Sequence, residues 1–272
     1  MPSDLEPAIR RSDEDRYHAA LFAPAERRGH LFALYAFHHE IARVAESVRE
    51  PMMGAIRLQW WREALQGARE GRPREHDVAR GLAALSAAHD LPLAQFEAMI
   101  DARESDAAEF AFEDLAALEA YADATSGNLM RLAAQMLGAP NDALAREAGI
   151  AHALAGILRA IPFHAARGKV YLPEDLLRET GTSRAEILQT HSGKKLAPVI
   201  ARVADAAQAH LAKARALPKP GAALPALLPA ATAPLYLKRV TAPGFDAFRD
   251  AVEIPLYRRQ LAMLRASWRG RL

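Results

Sequence analysis

Basic side chains and a tyrosine gather where one helix of the sequence ends. Apolar residues recur at helical spacing over residues 142–161, and a turn containing arginine and lysine follows at residues 167–169. The side chains that could hold a phosphate-like anion there are Arg159, Arg167, Lys169 and Tyr171. Guanidinium and ammonium groups form charge-assisted hydrogen bonds with such oxygens. Cations also collect at helix C-termini without any ligand, so both interpretations stay open.

Carboxylates that could bind a divalent cation are sparse in the apolar helices. Glu40 and Glu46 lie six residues apart, on different faces of a helix, and cannot share one ion. Glu104 and Asp106 belong to the run MIDARESD, which a solvated acidic helix face would explain equally well. The sequence therefore predicts no metal site and no cofactor.

The histidines do not form a recognisable zinc-binding pattern. His38 and His39 are adjacent, so on a helix they diverge by about 100°. His152 and His164 are far apart in helical phase, and the sequence has no H-E-x-x-H spacing. It also lacks a phosphate-binding glycine loop, a nucleophile elbow and a dinucleotide fingerprint. We interpret the histidines as packing or surface residues.

The elements that must position these residues are predicted to be helices. The chain has 272 residues with 51% hydrophobic content, enough for a substantial core, and no alternating strand pattern. Helices are predicted over residues 13–22, 25–48, 53–69, 76–89, 93–110, 113–137, 142–161, 173–179, 184–190, 193–216, 222–239 and 253–268. Ser126-Gly127 should weaken the helix over residues 113–137 and permit a bend. We predict an all-α fold with one domain over residues 1–272, of which residues 1–12 form a polar leader.

Charge and composition exclude several classes of protein. The formal net charge is only +2, and no dense basic block with interleaved aromatics occurs, so nucleic-acid binding is not expected. The absence of cysteine excludes disulfides and thiolate metal sites. No stretch approaches the roughly 18 apolar residues of a membrane span, and the N-terminus has no signal-peptide core. We predict a cytoplasmic protein that contacts the inner face of the membrane at most peripherally.

Two amphipathic helices differ in what their apolar faces are expected to contact. In the helix over residues 53–69, Ile56, Trp60, Ala64 and Leu65 are expected to pack inward. The C-terminal helix combines apolar residues with arginines, namely Ile254, Leu256, Tyr257, Leu261, Leu264 and Trp268 with Arg258, Arg259, Arg265, Arg269 and Arg271. Such a helix either packs on its own core with the arginines solvated, or contacts a membrane surface or an acidic partner.

Two segments resemble the motifs of the squalene/phytoene synthase family, the head-to-head prenyltransferases. Residues 149–173, GIAHALAGILRAIPFHAARGKVYLP, resemble the second signature of that family, and residues 35–46, YAFHHEIARVAE, resemble the first. The run MIDARESD at residues 99–106, and Ser126-Gly127 after Tyr121, extend the resemblance over most of the chain. It implies the isoprenoid-synthase fold, an all-α bundle in which two facing helices line a central cavity.

The positions at which this family carries its metal-binding and diphosphate-binding side chains hold other residues here. By resemblance, the altered positions that line the cavity are Ala42, Arg43, Glu46, Ala153, Gly156, Ala160 and His164. Glutamine and asparagine of the family fall on Ala153 and Gly156, and its acidic positions fall on the other five, of which only Glu46 is acidic. Those carboxylates hold Mg²⁺ against substrate diphosphates, because Mg²⁺ prefers oxygen ligands. We therefore predict no catalytic residues.

Within the family, the chain resembles the alphaproteobacterial relatives of a mitochondrial respiratory complex I assembly factor. The runs that carry this resemblance are DRYHAALFAPAERR, RLQWWREAL and RRQLAMLRASWRGR. It implies a non-catalytic protein that binds or assembles a partner of complex I. One alternative is an active prenyltransferase with Glu46, Glu104 and Asp106 as substitute Mg²⁺ ligands. Another is a non-catalytic protein that holds an isoprenoid or lipid in the cavity.

Overall fold

Helices make up all the regular structure in the part of the chain that the computed structural model describes, residues 5–48, 50–107 and 111–272. The helices are α1 (Leu5–Ser12), α2 (Glu14–Ala20), α3 (Ala25–Ser47), α4 (Pro51–Arg69), α5 (Asp77–Ala88), α6 (Leu93–Ala107), α7 (Leu115–Ala122), α8 (Asn128–Met136), α9 (Asp142–Arg159), α10 (Ile161–Ala165), α11 (Glu174–Glu179), α12 (Arg184–Thr190), α13 (Ala197–Ala216), α14 (Leu224–Leu227), α15 (Ala233–Val240) and α16 (Leu256–Arg269). A π-helical turn, Asp123–Gly127, joins α7 to α8, and 3-10 turns Gly221–Ala223 and Leu228–Thr232 flank α14. The predicted helix over residues 93–110 extends to Ala107, and its last three residues lie outside the described part.

Caps and prolines set the ends of these helices. The Asn141 side chain accepts a hydrogen bond from the backbone N–H of Leu144 at 3.0 Å and so begins α9. Pro225, Pro229 and Pro234 each stand in the first two positions of a short helical segment. Proline suits a first turn but breaks an interior one, so the helix predicted over residues 222–239 is divided into three short pieces.

Two predictions from the sequence are wrong. Residues 5–12 of the supposed polar leader form α1, which packs on α3 through the buried side chains of Leu5 and Ile9. Two apolar residues one helical turn apart are enough to dock so short a helix. In α4, Ala64 and Leu65 are buried as predicted and Trp60 packs on the core, but Ile56 points to solvent, and Leu58 and Trp61 complete the buried face. No helix in the described ranges is both long and apolar enough to cross a membrane.

The described helices form four buried clusters, and the two largest meet along α9. One cluster joins α1, α3, α4, α5, α6 and α8, and the other joins α7, α9, α13 and α15. Helix α9 contacts α13 and α15 on one side and α8 and the π-helical turn on the other. The cavity that holds the candidate site lies where the two clusters face each other.

One close approach fixes the distance between α9 and the π-helical turn. A Cβ atom added to Gly149 would lie 2.5 Å from the Cα of Gly127 and 2.7 Å from its backbone nitrogen. Both nearest neighbours are backbone atoms, which cannot rotate away as a flexible side chain would. Glycine at position 149 therefore allows the two backbones to touch.

We expect Gly149→Ala to lower the free energy of unfolding by about 2 kcal/mol, because the added methyl group must push two helices apart. Gly156→Ala in the same helix is the matched control, since a Cβ there meets nothing within 4 Å. The control should raise the free energy of unfolding by up to about 1 kcal/mol, the usual gain from replacing a helical glycine. Urea denaturation of both variants tests the contact, and equal stability would contradict it.

Candidate functional site

A cavity of about 280 Å³ opens between α3, α6, the π-helical turn, α9 and α10. We call it the central cavity, and its charged and polar lining residues are Arg16, His38, Glu46, Arg103, Asp106, Tyr121, Thr125, Ser126, His152, Arg159, His164, Arg167, Lys169 and Tyr171. Small apolar residues, Ala42, Ala45, Ala153 and Gly156, complete much of the wall. Five cationic side chains thus face two carboxylates.

Most of the residues singled out from the sequence lie on this wall. The structure brings together Ala42, Glu46, Ala153, Gly156, Arg159, His164, Arg167, Lys169 and Tyr171. These placements are geometric, and the roles of the residues stay predictions. His152 also lines the cavity together with His164, although their helical phases differ. The reason is that α9 ends at Arg159 and the chain changes direction before α10 begins.

Three residues considered for the site lie elsewhere. Arg43 faces a separate cleft beside Trp60, because one residue along α3 turns a side chain by about 100° from Ala42. Ala160 is the C-terminal cap residue of α9 and is not among the lining residues of the central cavity. Glu104 forms an exposed ion pair with Arg62 at 2.6 Å. Arg43 and Ala160, which were placed on the cavity wall by resemblance, are thus not among its lining residues, and neither is Glu104.

A buried ion pair occupies the inner end of the central cavity. Arg103 donates a hydrogen bond to Asp106 at 2.9 Å and contacts the Tyr121 hydroxyl, which itself donates to Asp106 at 2.7 Å. Burial opposes the charge on Arg103, but Tyr121 and Asp106 outweigh it and raise the pKa of the guanidinium. Both side chains of the pair are buried, so breaking it would leave an uncompensated charge.

Three further arginines of the wall have different partners. Arg16 pairs with Asp13. Arg159 donates to the Tyr236 hydroxyl at 3.0 Å, and Arg167 lies over the Phe163 ring with its guanidinium carbon 3.5 Å from the ring centroid. Arg159 and Arg167, unlike Arg16, therefore have no carboxylate partner among the described residues.

Histidines in the wall are neutral at physiological pH. Burial, and then the nearby charge of Arg16, lowers the pKa of His152 to about 3. Burial likewise lowers the pKa of His164 to about 4, and Arg103 and Arg167 add to the effect. The pKa of His38 is also lowered well below its usual value by burial and by Arg16. Burial and the nearby cations therefore oppose protonation of these histidines, and their neutral imidazoles can donate and accept hydrogen bonds.

The cavity is suited to an anion more than to a divalent metal. Ser126 Oγ and Arg103 Nε are buried there without a hydrogen-bond partner in the described residues, so both remain donors. Asp106 already accepts bonds from Arg103 and Tyr121, which leaves Glu46 as the one carboxylate on the wall without such a bond. Mg²⁺ is usually bound by one or two protein carboxylates together with substrate phosphates, so this wall offers it few ligands.

Sequence reasoning missed Arg16 and Arg103 as parts of the site. Arg103 stands three residues before Asp106 on α6, a spacing at which a helix brings opposite charges together. That spacing was a usable signal. Arg16 has no such signal, because it reaches the cavity only through the packing of α2 against α14 and α3.

A second cavity of about 540 Å³ lies beside the central one and shares part of its wall. Arg16, His152, Gly156 and Arg159 line both cavities. The second cavity is also lined by Arg259 of α16, whose guanidinium pairs with Asp15 and, at 2.7 Å, with Glu14. The C-terminal helix is thereby linked to the site.

We expect Asp106→Asn to lower the free energy of unfolding by about 3 kcal/mol, because Arg103 would remain charged and buried without its partner. Asp101→Asn on the same helix removes an exposed ion pair with Arg62 and should cost less than about 1 kcal/mol. Chemical denaturation at neutral pH separates the two. A small loss for Asp106→Asn would mean that water already solvates the pair.

The lowered pKa of His152 makes stability depend on pH. The unfolded chain takes up a proton on this residue as the pH falls below about 6.5, whereas the folded protein does so only near 3. Stability is therefore greatest above pH 6.5 and declines as the pH falls toward 3. Between pH 7 and 5.5 we expect His152 to contribute a loss of about 1 kcal/mol, which His152→Gln abolishes. Urea denaturation of both proteins at the two pH values measures it, and identical losses would contradict the assignment.

Comparison with known proteins shows which family the chain is similar to. The squalene/phytoene synthase sequence profile matches residues 9–260. NADH dehydrogenase (ubiquinone) complex I, assembly factor 6 of Homo sapiens is 32% identical over 259 residues, covering 92% of this chain and 78% of that protein. Presqualene diphosphate synthase of Rhodopseudomonas palustris is 30% identical over 204 residues, covering 73% and 72%.

A solved structure confirms the predicted all-α isoprenoid-synthase fold. The crystal structure of a dehydrosqualene synthase in complex with ligand superimposes with a TM-score of 0.78 at 19% identity, covering 97% of this chain and 94% of that one. The family profile, the relatives and the fold all agree with the resemblance found in residues 35–46 and 149–173. The chain belongs to the squalene/phytoene synthase family.

Proposed function

We propose that this chain is a non-catalytic member of its family that acts as a binding or assembly factor for respiratory complex I. One observation supports the loss of catalysis. Asp106, the buried carboxylate of the central cavity, already accepts hydrogen bonds from Arg103 and Tyr121. The partner is inferred from similarity to a human protein named as a complex I assembly factor, which extends over 92% of this chain.

The electrostatics of the cavity support this proposal. Ionisation of an allylic diphosphate requires metal ions that neutralise the leaving group, and those ions require protein carboxylates. Here the wall presents five cations, two carboxylates and neutral histidines. Such a wall attracts a diphosphate but repels the metal ions that would make it leave.

The second candidate is an active prenyltransferase. It is favoured by the 30% identity with a presqualene diphosphate synthase. In that case Glu46 and Asp106 would have to bind Mg²⁺ without Glu104, which is occupied on the surface by Arg62. Breaking the Arg103–Asp106 pair to free one ligand would be costly, and this is the physical reason for preferring the first proposal.

The central cavity retains a binding capacity of its own. We propose that Arg159, Arg167, Lys169 and Tyr171 hold an anionic group at the cavity rim without Mg²⁺, because guanidinium and ammonium groups bind phosphate oxygens directly. A volume of about 280 Å³ with alanine, glycine and isoleucine on its walls could also admit one apolar chain. An isoprenoid or lipid passenger would combine the two, and native mass spectrometry of the protein from its own host would reveal it.

We further propose that the C-terminal helix brings the protein to the inner face of the membrane. Its large apolar side chains, Leu256, Tyr257, Leu261, Leu264 and Trp268, are exposed in the structure. The sequence left two expectations for this helix: packing of its apolar face on the protein's own core, or contact with a membrane surface or an acidic partner. The exposure of these side chains argues against the first.

Incubation of the purified protein with farnesyl diphosphate and Mg²⁺ should release no pyrophosphate, whereas presqualene diphosphate synthase of Rhodopseudomonas palustris, assayed in parallel, should be active. Calorimetry with pyrophosphate alone should detect binding, and Arg159→Gln should weaken it roughly tenfold, the contribution of one charge-assisted hydrogen bond. Arg178→Gln on exposed α11 is the matched control. Formation of a squalene-type or phytoene-type product would end the non-catalytic proposal.

Deletion of the gene in its host should lower the amount of assembled NADH dehydrogenase, measured on native gels, and leave isoprenoid products unchanged. The wild-type chain should restore assembly, and the Rhodopseudomonas palustris enzyme should not. Loss of isoprenoids with intact NADH dehydrogenase would reverse the order of the two candidates.

A further inference from the structure

Helix α16 turns an apolar stripe away from the protein. Tyr257, Leu261, Leu264 and Trp268 follow one another at spacings of four, three and four residues, which places them on one face. All four are exposed, and the Trp268 side chain is 88% exposed. The residues of α16 that pack on the core, Met263 and Ala266, lie on the opposite side of the helix.

The stripe continues onto a neighbouring element. Leu21 and Phe22, in the turn after α2, are also exposed, and with Tyr257, Leu261 and Leu264 they border a groove of about 480 Å³. Single exposed apolar side chains need no explanation, but a contiguous group from two elements marks an interaction surface. We call these six residues, Leu21, Phe22, Tyr257, Leu261, Leu264 and Trp268, the apolar stripe.

Arginines flank the stripe on one side. Arg265 and Arg269 of α16 meet Arg215 of α13 and Arg271 of the tail around a second groove of about 600 Å³, which we call the arginine groove. Its other lining residues are alanine, proline and leucine, and no aspartate or glutamate is among them in the described chain. The four guanidinium groups are exposed and have no ion-pair partner among the described residues, so the groove presents positive charge to solvent.

Arg259 of the same helix provides the contrast. It points inward and pairs with both Glu14 and Asp15. The arginines of α16 therefore divide into one that is neutralised inside the protein and others that face outward without a counter-charge.

Resting on the proposed membrane contact of the C-terminal helix, we infer that α16 lies in the headgroup layer of an anionic phospholipid bilayer, with a lipid phosphate in the arginine groove and the apolar stripe at the acyl boundary. Charge and apolar area lie side by side on one helix, and a bilayer surface offers both to it at once. Tryptophan and tyrosine are the side chains that prefer this interface. An acidic protein would satisfy the arginines but would leave the protruding Trp268 ring unexplained.

Flotation of the full-length protein with vesicles tests the inference. Binding should be strong to phosphatidylcholine mixed with phosphatidylglycerol and weak to phosphatidylcholine alone. The double variant Arg265→Gln/Arg269→Gln should lose roughly tenfold or more in affinity for the anionic vesicles, since each arginine near such a surface contributes separately. Arg178→Gln/Arg202→Gln, which removes the same charge from exposed sites on α11 and α13, should bind like the wild type.

A second measurement reports on the stripe itself. Trp268 emission should shift to shorter wavelength on anionic vesicles only, and Trp268→Phe should abolish the shift while circular dichroism confirms an intact fold. Equal binding to both kinds of vesicle would overturn the arginine groove as a phosphate site and leave the membrane contact standing. Binding to neither would overturn both. A Trp268→Ala variant that changes only the oligomeric state would assign the stripe to a contact between copies, and would also overturn the inference. None of these outcomes depends on complex I assembly.

Discussion

The contact between the backbones of Gly149 and Gly127 determines the distance on which the central cavity depends. It presses α9 against the π-helical turn, so that Tyr121, Thr125 and Ser126 stand across from residues 152–156. A side chain at position 149 would push the two backbones apart, whereas a Cβ at position 127 would meet the side chain of Asp123.

The charge states of the groups that line the central cavity depend on their burial. Desolvation penalises every charged group in the wall, and the protein responds differently at each one: Arg103 keeps its charge because Asp106 and Tyr121 offset the penalty, whereas His152 and His164 lose theirs. The result is a cavity with a net positive charge whose neutral groups can still donate and accept hydrogen bonds.

Local signals in the sequence identified most helices, because caps and prolines act over three or four residues. Ser183, whose side chain accepts a hydrogen bond from the Glu186 N–H, marks the start of α12 at the predicted residue. What could not be predicted depends on tertiary packing. Periodicity shows that a helix has an apolar face but not whether another element covers it, and so Ile56 was placed inward although it is exposed.

The same distinction applies to the site. The family resemblance implied that seven positions line one cavity. Ala42, Glu46, Ala153, Gly156 and His164 are among its lining residues, whereas Arg43 and Ala160 are not. Arg16 was missed because only the folded chain carries α2 to that wall. The π-helical turn was anticipated as a weak point at Ser126-Gly127, but its widened winding depends on contact with α9 and leaves no signature in the sequence.

The ion pairs of Arg259 give α16 a mechanical connection to the interior. This one side chain borders the second cavity while its helix carries the outer stripe, and Glu14 and Asp15, to which it is bound, belong to the helix that supplies Arg16. A displacement of the C-terminal helix therefore strains the wall between the two cavities. Because such coupling is reciprocal, a ligand bound in either cavity must change the free energy needed to displace the helix.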